Sequence, residues 1–160
     1  MTVRIRAGMA SDAPALAALF RHTRSMSLPY LPKLHTPDED RTFFESTLGR
    51  DYVFVAEYGE IVGFIASRLG WIDHLYVDPA QHGAGIGTTL LRKVLADQDE
   101  VRLWTFQRNR QAICFYERRG FVRERTTEGE NEEREPDALY VWRRLSEQDT
   151  EISAPDVWSP

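Results

Sequence analysis

The stretch Asp78-Pro79-Ala80-Gln81-His82-Gly83-Ala84-Gly85-Ile86-Gly87-Thr88 decides how this chain is read. Before it, Trp71 to Val77 reads as a strand, which Asp78-Pro79 halts. After it, Ile86, Leu90, Leu91, Val94 and Leu95 fall on one side of a helix. Glycines in such a turn let successive backbone N–H groups converge with no Cβ in the way, and the helix N-terminus adds positive potential. A strand–turn–helix of this kind cradles a pyrophosphate. It is not a Walker loop, because Gly87 is followed by Thr88 and Thr89 with no lysine. Nor is it a dinucleotide fingerprint, whose third glycine would fall where Thr88 or Leu90 stands. On this motif alone, a plain glycine-rich turn would look the same.

Outward from the turn, the period changes along the chain. Tyr52 to Tyr58 and Ile61 to Leu69 read as strands joined by a tight hairpin at Gly59-Glu60. Further back, Pro37 to about Leu48 reads as a helix with Asp38, Glu39 and Asp40 at its positive end. Ser25 to Thr36 carries Pro29 and Pro32, which no helix interior tolerates. Asp12 stands as the N-cap of a helix with an apolar stripe of Ala13, Leu16, Ala17 and Phe20, and Val3 to Arg6 alternates as a strand. Beyond the turn, Val101 to Phe106 is a strand, Asn109 caps a helix that stops at Gly120, and two strands follow near Phe121–Arg125 and Ala138–Leu145. The sum is a single α+β domain over residues 1–145, with a mixed, mostly antiparallel sheet of about six to seven strands flanked by about four helices. Residues 146–160 hold few apolar side chains and form a tail, expected to be mobile or packed on a neighbouring subunit.

One strand after the glycine turn comes Asn109-Arg110-Gln111-Ala112-Ile113-Cys114-Phe115-Tyr116-Glu117-Arg118-Arg119-Gly120-Phe121. Together the two stretches resemble the GNAT superfamily of N-acetyltransferases. That family carries Q/R-x-x-G-x-G/A after its fourth strand and N-x-x-A-x-x-x-Y-x-x-x-G-F on the helix after its fifth. The resemblance covers about Val3 to Leu145. It departs at His82, where Gln or Arg usually stands, while Gln81 lies one residue early.

The resemblance implies acetyl transfer from acetyl-coenzyme A to an amine, directly within a ternary complex. Backbone amides across His82, Gly83, Ala84, Gly85, Ile86, Gly87 and Thr88 would hold the coenzyme pyrophosphate. Val77 would pair through its backbone with the pantetheine arm, and Asn109 and Ala112 would contact the same arm. The N–H of Leu75 would donate to the thioester carbonyl. Tyr116 would be the general acid that protonates the departing thiolate, although Ala112, Phe115 and Tyr116 also form an apolar stripe. For the base, Asp73, His74 and water stay open. In a regular strand Asp73 shares the face of Leu75 and Val77, which favours it, while His74 has the better reference pKa but points the other way.

Two segments are candidates for framing the acceptor site. One lies between the first helices and contains Tyr30 and His35. The other is the Glu-rich loop with Asn131, Glu132 and Glu133, whose charge would attract a cationic amine, although such loops are most often just solvated. The net charge of −5 argues against nucleic acid as a partner. The single cysteine, Cys114, leaves no intrachain disulfide and no thiolate metal cluster, and its place in mid-helix with no basic partner argues against a covalent acetyl-enzyme. No metal is expected. No apolar run approaches a membrane span, and Met1 to Met9 has no apolar signal core, so a cytoplasmic protein is expected. Dimers are frequent in the family, which makes a homodimer an expectation. A coenzyme-binding sensor without turnover, or an interaction module, are the competing readings.

Overall fold

The computed structural model describes residues 2–146. Most of the tail foreseen at 146–160 therefore lies outside the described residues. The chain runs β1 (Arg4–Ala7), α1 (Ala13–Ser27), α2 (Pro37–Arg50), β2 (Tyr52–Tyr58), β3 (Glu60–Arg68), β4 (Trp71–Val77), α3 (Ile86–Leu95), β5 (Glu100–Phe106), α4 (Arg110–Glu117), β6 (Val122–Thr126) and β7 (Asp137–Arg143). Seven strands form one sheet in the order β1-β2-β3-β4-β5-β7-β6. All neighbours are antiparallel except β4 and β5. Element ends lie within about two residues of those read from the sequence, the usual uncertainty of helix and strand termini.

Alternation along β3 supplies both faces of the sheet with apolar groups. Phe64 and Ala66 join Leu16, Phe44 and Val55 in a core beneath α1 and α2. Ile65 turns the other way, into a core with Leu90, Leu91, Leu103 and Tyr140 beneath α3 and α4. Ile86, Leu90, Leu91 and Val94 are the buried residues of α3. Each such side chain contributes about 1.5–3 kcal/mol of apolar transfer, so this stripe fixes where the N-terminus of α3 points.

The helix starts show which local rules win. Thr36 caps α2 by accepting the Glu39 N–H at 3.1 Å, while the Glu39 carboxylate accepts the Thr36 N–H. Asp12 stands at the start of α1 but makes no capping bond to it. Its carboxylate instead accepts the Met9 N–H at 2.7 Å and two Arg6 N–H bonds at 2.8 and 2.9 Å. It thereby ties a short 3₁₀ turn, Ala10–Asp12, to β1.

Strands β4 and β5 set up the site by failing to stay together. Their ladder is confined to Trp71 opposite Arg102, with the Arg102 N–H bonded to the Gly70 carbonyl at 2.9 Å. Beyond that point β5 pairs with β7 along its whole length, and the two parallel strands part.

Candidate functional site

The gap between the parting strands has a defined chemistry. Asp78 donates its N–H to Val62 on β3 at 2.8 Å. By the alternation of an antiparallel ladder, the amides of Tyr76 and His74 also face β3, and those of Val77 and Leu75 face the gap. The Leu75 backbone and the Val77 N–H are thus a sheet edge unpaired with β5, able to take an extended ligand as another strand would be taken.

The glycine turn closes one end of the gap. Gly83 and Gly85 have φ of +85° and +79°, a left-handed backbone that disfavours a side chain. A Cβ at either would meet nothing within 4 Å, so the space above both is open. Gly85 is the N-cap of α3 and offers no capping side chain. The first amides of the helix therefore remain available as donors to an anion. Gly87 answers a different need: a Cβ there would lie 3.3 Å from the Phe115 ring, so it lets α4 approach α3.

A cleft of about 540 Å³ runs along this edge. Leu75, Val77, His82, Gly83, Gly85, Ile86, Gly87, Thr88, Asn109, Ala112 and Tyr116 all border it. Nearly every residue expected to hold the coenzyme therefore comes together in one place, and Ala84 lies in the turn between two of them. The Asn109 side chain accepts the Ala112 N–H at 3.2 Å as a helix cap. Tyr116 is buried, its ring packed edge-on against Phe115 and Phe121 at 5.2 and 5.3 Å. Burial, with Tyr76 nearby, pushes the Tyr116 phenol well above the ordinary tyrosine range, so it keeps its proton at neutral pH.

His82, the departure from the family pattern, has a definite place. The Gln111 side-chain amide lies 3.0 Å from His82 Nδ1, and His82 Nε2 lies 3.0 Å from the Val77 carbonyl oxygen. Both contacts are satisfied if Gln111 donates to Nδ1 and the Nε2–H donates to Val77. The imidazole thus braces the turn against the strand end and α4.

Arg119 was not singled out from the sequence. Its guanidinium stacks 3.8 Å from the Phe115 ring centroid and donates to the Phe115 carbonyl at 2.8 Å. It also donates to Thr88 Oγ1 from Nη2 at 2.6 Å and from Nε at 3.1 Å. A fixed positive charge therefore sits beside the first turn of α3. The basic pair Arg118-Arg119 ahead of Gly120 was the signal that could have found it. Left-handed glycines, an uncapped helix start, an open cleft and a fixed cation suit a pyrophosphate, and the edge unpaired with β5 suits an extended amide-containing arm.

Asp73 is not where a regular strand would put it. Ala66 pairs with His74 and the next residue, Ser67, pairs with Ile72, so Asp73 is the extra residue of a β-bulge. Ile72 takes the inward position, buried in the α3-side core, and Asp73 no longer shares the face of Leu75 and Val77. Its carboxylate is held by Arg68 Nε and Nη2 at 2.6 and 2.8 Å.

His74 and Tyr76 face the opposite side, where a second cleft of about 840 Å³ opens. Tyr76 borders both clefts and so stands where they meet. The His74 ring lies within an aromatic group, 5.5 Å from the Phe43 and Phe44 centroids and 6.1 Å from those of Phe20 and Tyr76. Burial holds its pKa down to about 4, so the imidazole is neutral at pH 7.

The segments expected to frame an acceptor are only partly as foreseen. His35, Glu132 and Glu133 border the second cleft. The two glutamates are not free to attract a cation, however. Arg24 Nη2 pairs with Glu133 at 3.0 Å, and His35 Nε2 meets Glu132 at 2.5 Å. Tyr30 and Asn131 stand outside the wall of this cleft. Tyr30 packs beneath the Arg108 guanidinium, 3.8 Å from its ring centroid. Asn131 closes its own loop, donating to the Glu135 carbonyl at 2.7 Å and to Asp137 at 3.0 Å. Among the described residues, no His, Cys, Asp and Glu group could hold a metal, and no helix is long and apolar enough to cross a membrane.

Comparison with known proteins points the same way. The acetyltransferase (GNAT) domain family matches residues 49–123, which span the hairpin, β4, the glycine turn and α4. The uncharacterized N-acetyltransferase MJ1207 of Methanocaldococcus jannaschii is 33% identical over 108 residues, 56% of this chain and 48% of its own. This chain thus spans about half the length of that relative. The peptidyl-lysine N-acetyltransferase YiaC of Escherichia coli is 26% identical over 119 residues, 73% of this chain and 82% of its own. Apo YjaB of Escherichia coli, solved in solution, shares the fold with a TM-score of 0.74 at 23% identity, covering 89% of this chain and 98% of its own. The parted strands, the glycine cradle and the α4 motif that meet in one cleft all lie within the stretch, residues 49–123, that is similar to the acetyltransferase (GNAT) domain family.

Proposed function

We infer that this protein is an enzyme that transfers an acetyl group from acetyl-coenzyme A to a primary amine, directly and without a covalent acetyl-enzyme. The observation that carries the reading is the convergence of the left-handed Gly83–Gly85 turn, the Leu75–Val77 edge unpaired with β5 and buried Tyr116 on one cleft. Acetyl-coenzyme A supplies an activated acetyl thioester when bound. Amides from Gly83 to Thr88 hold its pyrophosphate, with Arg119 adding positive charge. Val77 pairs with the pantetheine arm, and Asn109 and Ala112 border the same arm.

Leu75 N–H donates to the thioester carbonyl oxygen as negative charge gathers there, a contribution that grows from ground state to transition state. Tyr116, held protonated by its burial, gives its proton to the departing thiolate. The amine arrives from the cleft across Tyr76 and must lose a proton before it attacks. Asp73 and His74 both border that cleft, but the Asp73 carboxylate is engaged by Arg68, whereas His74 is neutral and able to accept a proton. The peptidyl-lysine activity named for YiaC makes a lysine side chain one acceptor to try.

A thermal-shift series with acetyl-coenzyme A, followed by thiol release across an amine panel that includes lysine peptides, tests the reading. Stabilisation together with amine-dependent thiol release supports it. Stabilisation without release would leave a coenzyme-binding sensor, and no shift at all would leave an interaction module.

A further inference from the structure

Three buried side-chain atoms among the described residues have no hydrogen-bond partner: Thr23 Oγ1, Arg24 Nε and the Tyr30 hydroxyl. Only Thr23 of these borders the cleft assigned to the coenzyme. Thr23 lies on α1 and is 7% exposed. A threonine inside a helix has a ready local partner in the carbonyl four residues back. Thr47 uses it, donating to Phe43 at 3.0 Å, and Thr89 does the same to Gly85 at 2.9 Å. Thr23 does not. Its hydroxyl oxygen is closed off from solvent and unpaired, one side-chain rotation from a cleft that Thr23 borders together with Leu75, Tyr76, Val77 and Tyr116.

Buried hydroxyls are nearly always satisfied, because leaving one unpaired forfeits its hydration with nothing in return. We propose that Thr23 is a ligand-binding residue whose hydroxyl donates a hydrogen bond to a carbonyl oxygen of the acyl-pantetheine arm laid along β4. The proposal rests on the acetyl-coenzyme A reading above. The arm carries such oxygens in its amides and in the acetyl thioester, and a donor from α1 would meet the arm from the side opposite α4. Helix α1 would then grip the coenzyme directly as well as build the core, and the unpaired hydroxyl would find its partner only in the complex.

The test is titration calorimetry on the full chain with acetyl-coenzyme A and with coenzyme A, for wild type, Thr23→Val and Thr23→Ser, beside the melting temperature of each ligand-free protein. Thr23→Val keeps the shape and removes a hydroxyl that has no partner, so ligand-free stability should stay level or rise. Affinity should fall about 3- to 10-fold, the range for one neutral hydrogen bond, while Thr23→Ser binds as wild type does. Equal loss with both ligands assigns the bond to a pantetheine amide carbonyl, and loss with acetyl-coenzyme A alone assigns it to the thioester. Unchanged affinity of Thr23→Val overturns the proposal, as does a matching loss in Thr23→Ser, which would trace the effect to the methyl group. Failure of wild type to bind either ligand would overturn the coenzyme reading and this proposal with it.

Discussion

Replacing His74 with phenylalanine should flatten the acid side of the stability profile. His74 is held neutral by burial, with its pKa at about 4 against an ordinary 6.5. The unfolded chain therefore binds more protons than the folded one between those values, and stability is lost as pH falls through that window. At 1.36 kcal/mol per unit, a shift of roughly 2.5 units costs the native state about 3 kcal/mol by pH 4. For a domain of this size, that is roughly 6–12 °C in melting temperature. Phenylalanine fits among Phe20, Phe43 and Phe44 but takes up no proton. It will shift stability by some constant through packing, so the informative quantity is the slope.

Melting temperatures or urea midpoints of both proteins, taken from pH 7 to pH 4.5, give that slope as a difference. Other groups titrate in both proteins and cancel. His35, for example, has the opposite sign, because Glu132 and Glu39 raise its pKa and its contribution is lost as pH rises. Parallel profiles would refute the reasoning and place His74 in solvent. Such a result would also remove the ground for having it meet an acceptor amine in the neutral form.

Two further outcomes follow from the coenzyme cleft. Gly85→Asp puts a charge and a side chain at the uncapped start of α3; it should remain folded and bind acetyl-coenzyme A about tenfold or more weakly, and unchanged calorimetric affinity would place the cradle elsewhere. Tyr116→Phe should lower turnover by about 10²-fold, the low end for a lost general acid because a thiolate leaves readily, with coenzyme affinity nearly unchanged. Equal turnover, with chemistry shown to be rate-limiting, would end the acid role.

What could be read from the sequence was whatever local backbone chemistry dictates. Gly83 and Gly85 answer to a left-handed turn, Asn109 to a helix cap and Gly120 to a helix stop, each within a few residues. Alternation and helical spacing gave the layers, and the two family motifs gave the cleft. Features set by distant partners stayed hidden. The bulge at Asp73 is a matter of register against Ala66 and Ser67 on β3, and one extra residue was enough to move the carboxylate off the expected face. The Glu-rich loop looked free, yet His35 and Arg24, 97 and 109 residues away along the chain, compensate Glu132 and Glu133. Asp12 read as a helix cap until Arg6 and Met9 claimed its carboxylate. Thr23 carried no signal at all, since an unpaired hydroxyl is visible only once its surroundings are built.

The central claim is that the Gly83–Gly85 cradle, the Leu75–Val77 edge and Tyr116 form one acetyl-transfer site. Its most direct test is coenzyme A thiol release from acetyl-coenzyme A by the full chain, with and without amines. The account predicts release that depends on an added amine, saturates with acetyl-coenzyme A, and falls in Tyr116→Phe under conditions where that variant still binds the coenzyme. Saturable binding of acetyl-coenzyme A with no amine in a broad panel raising thiol release above background would contradict it.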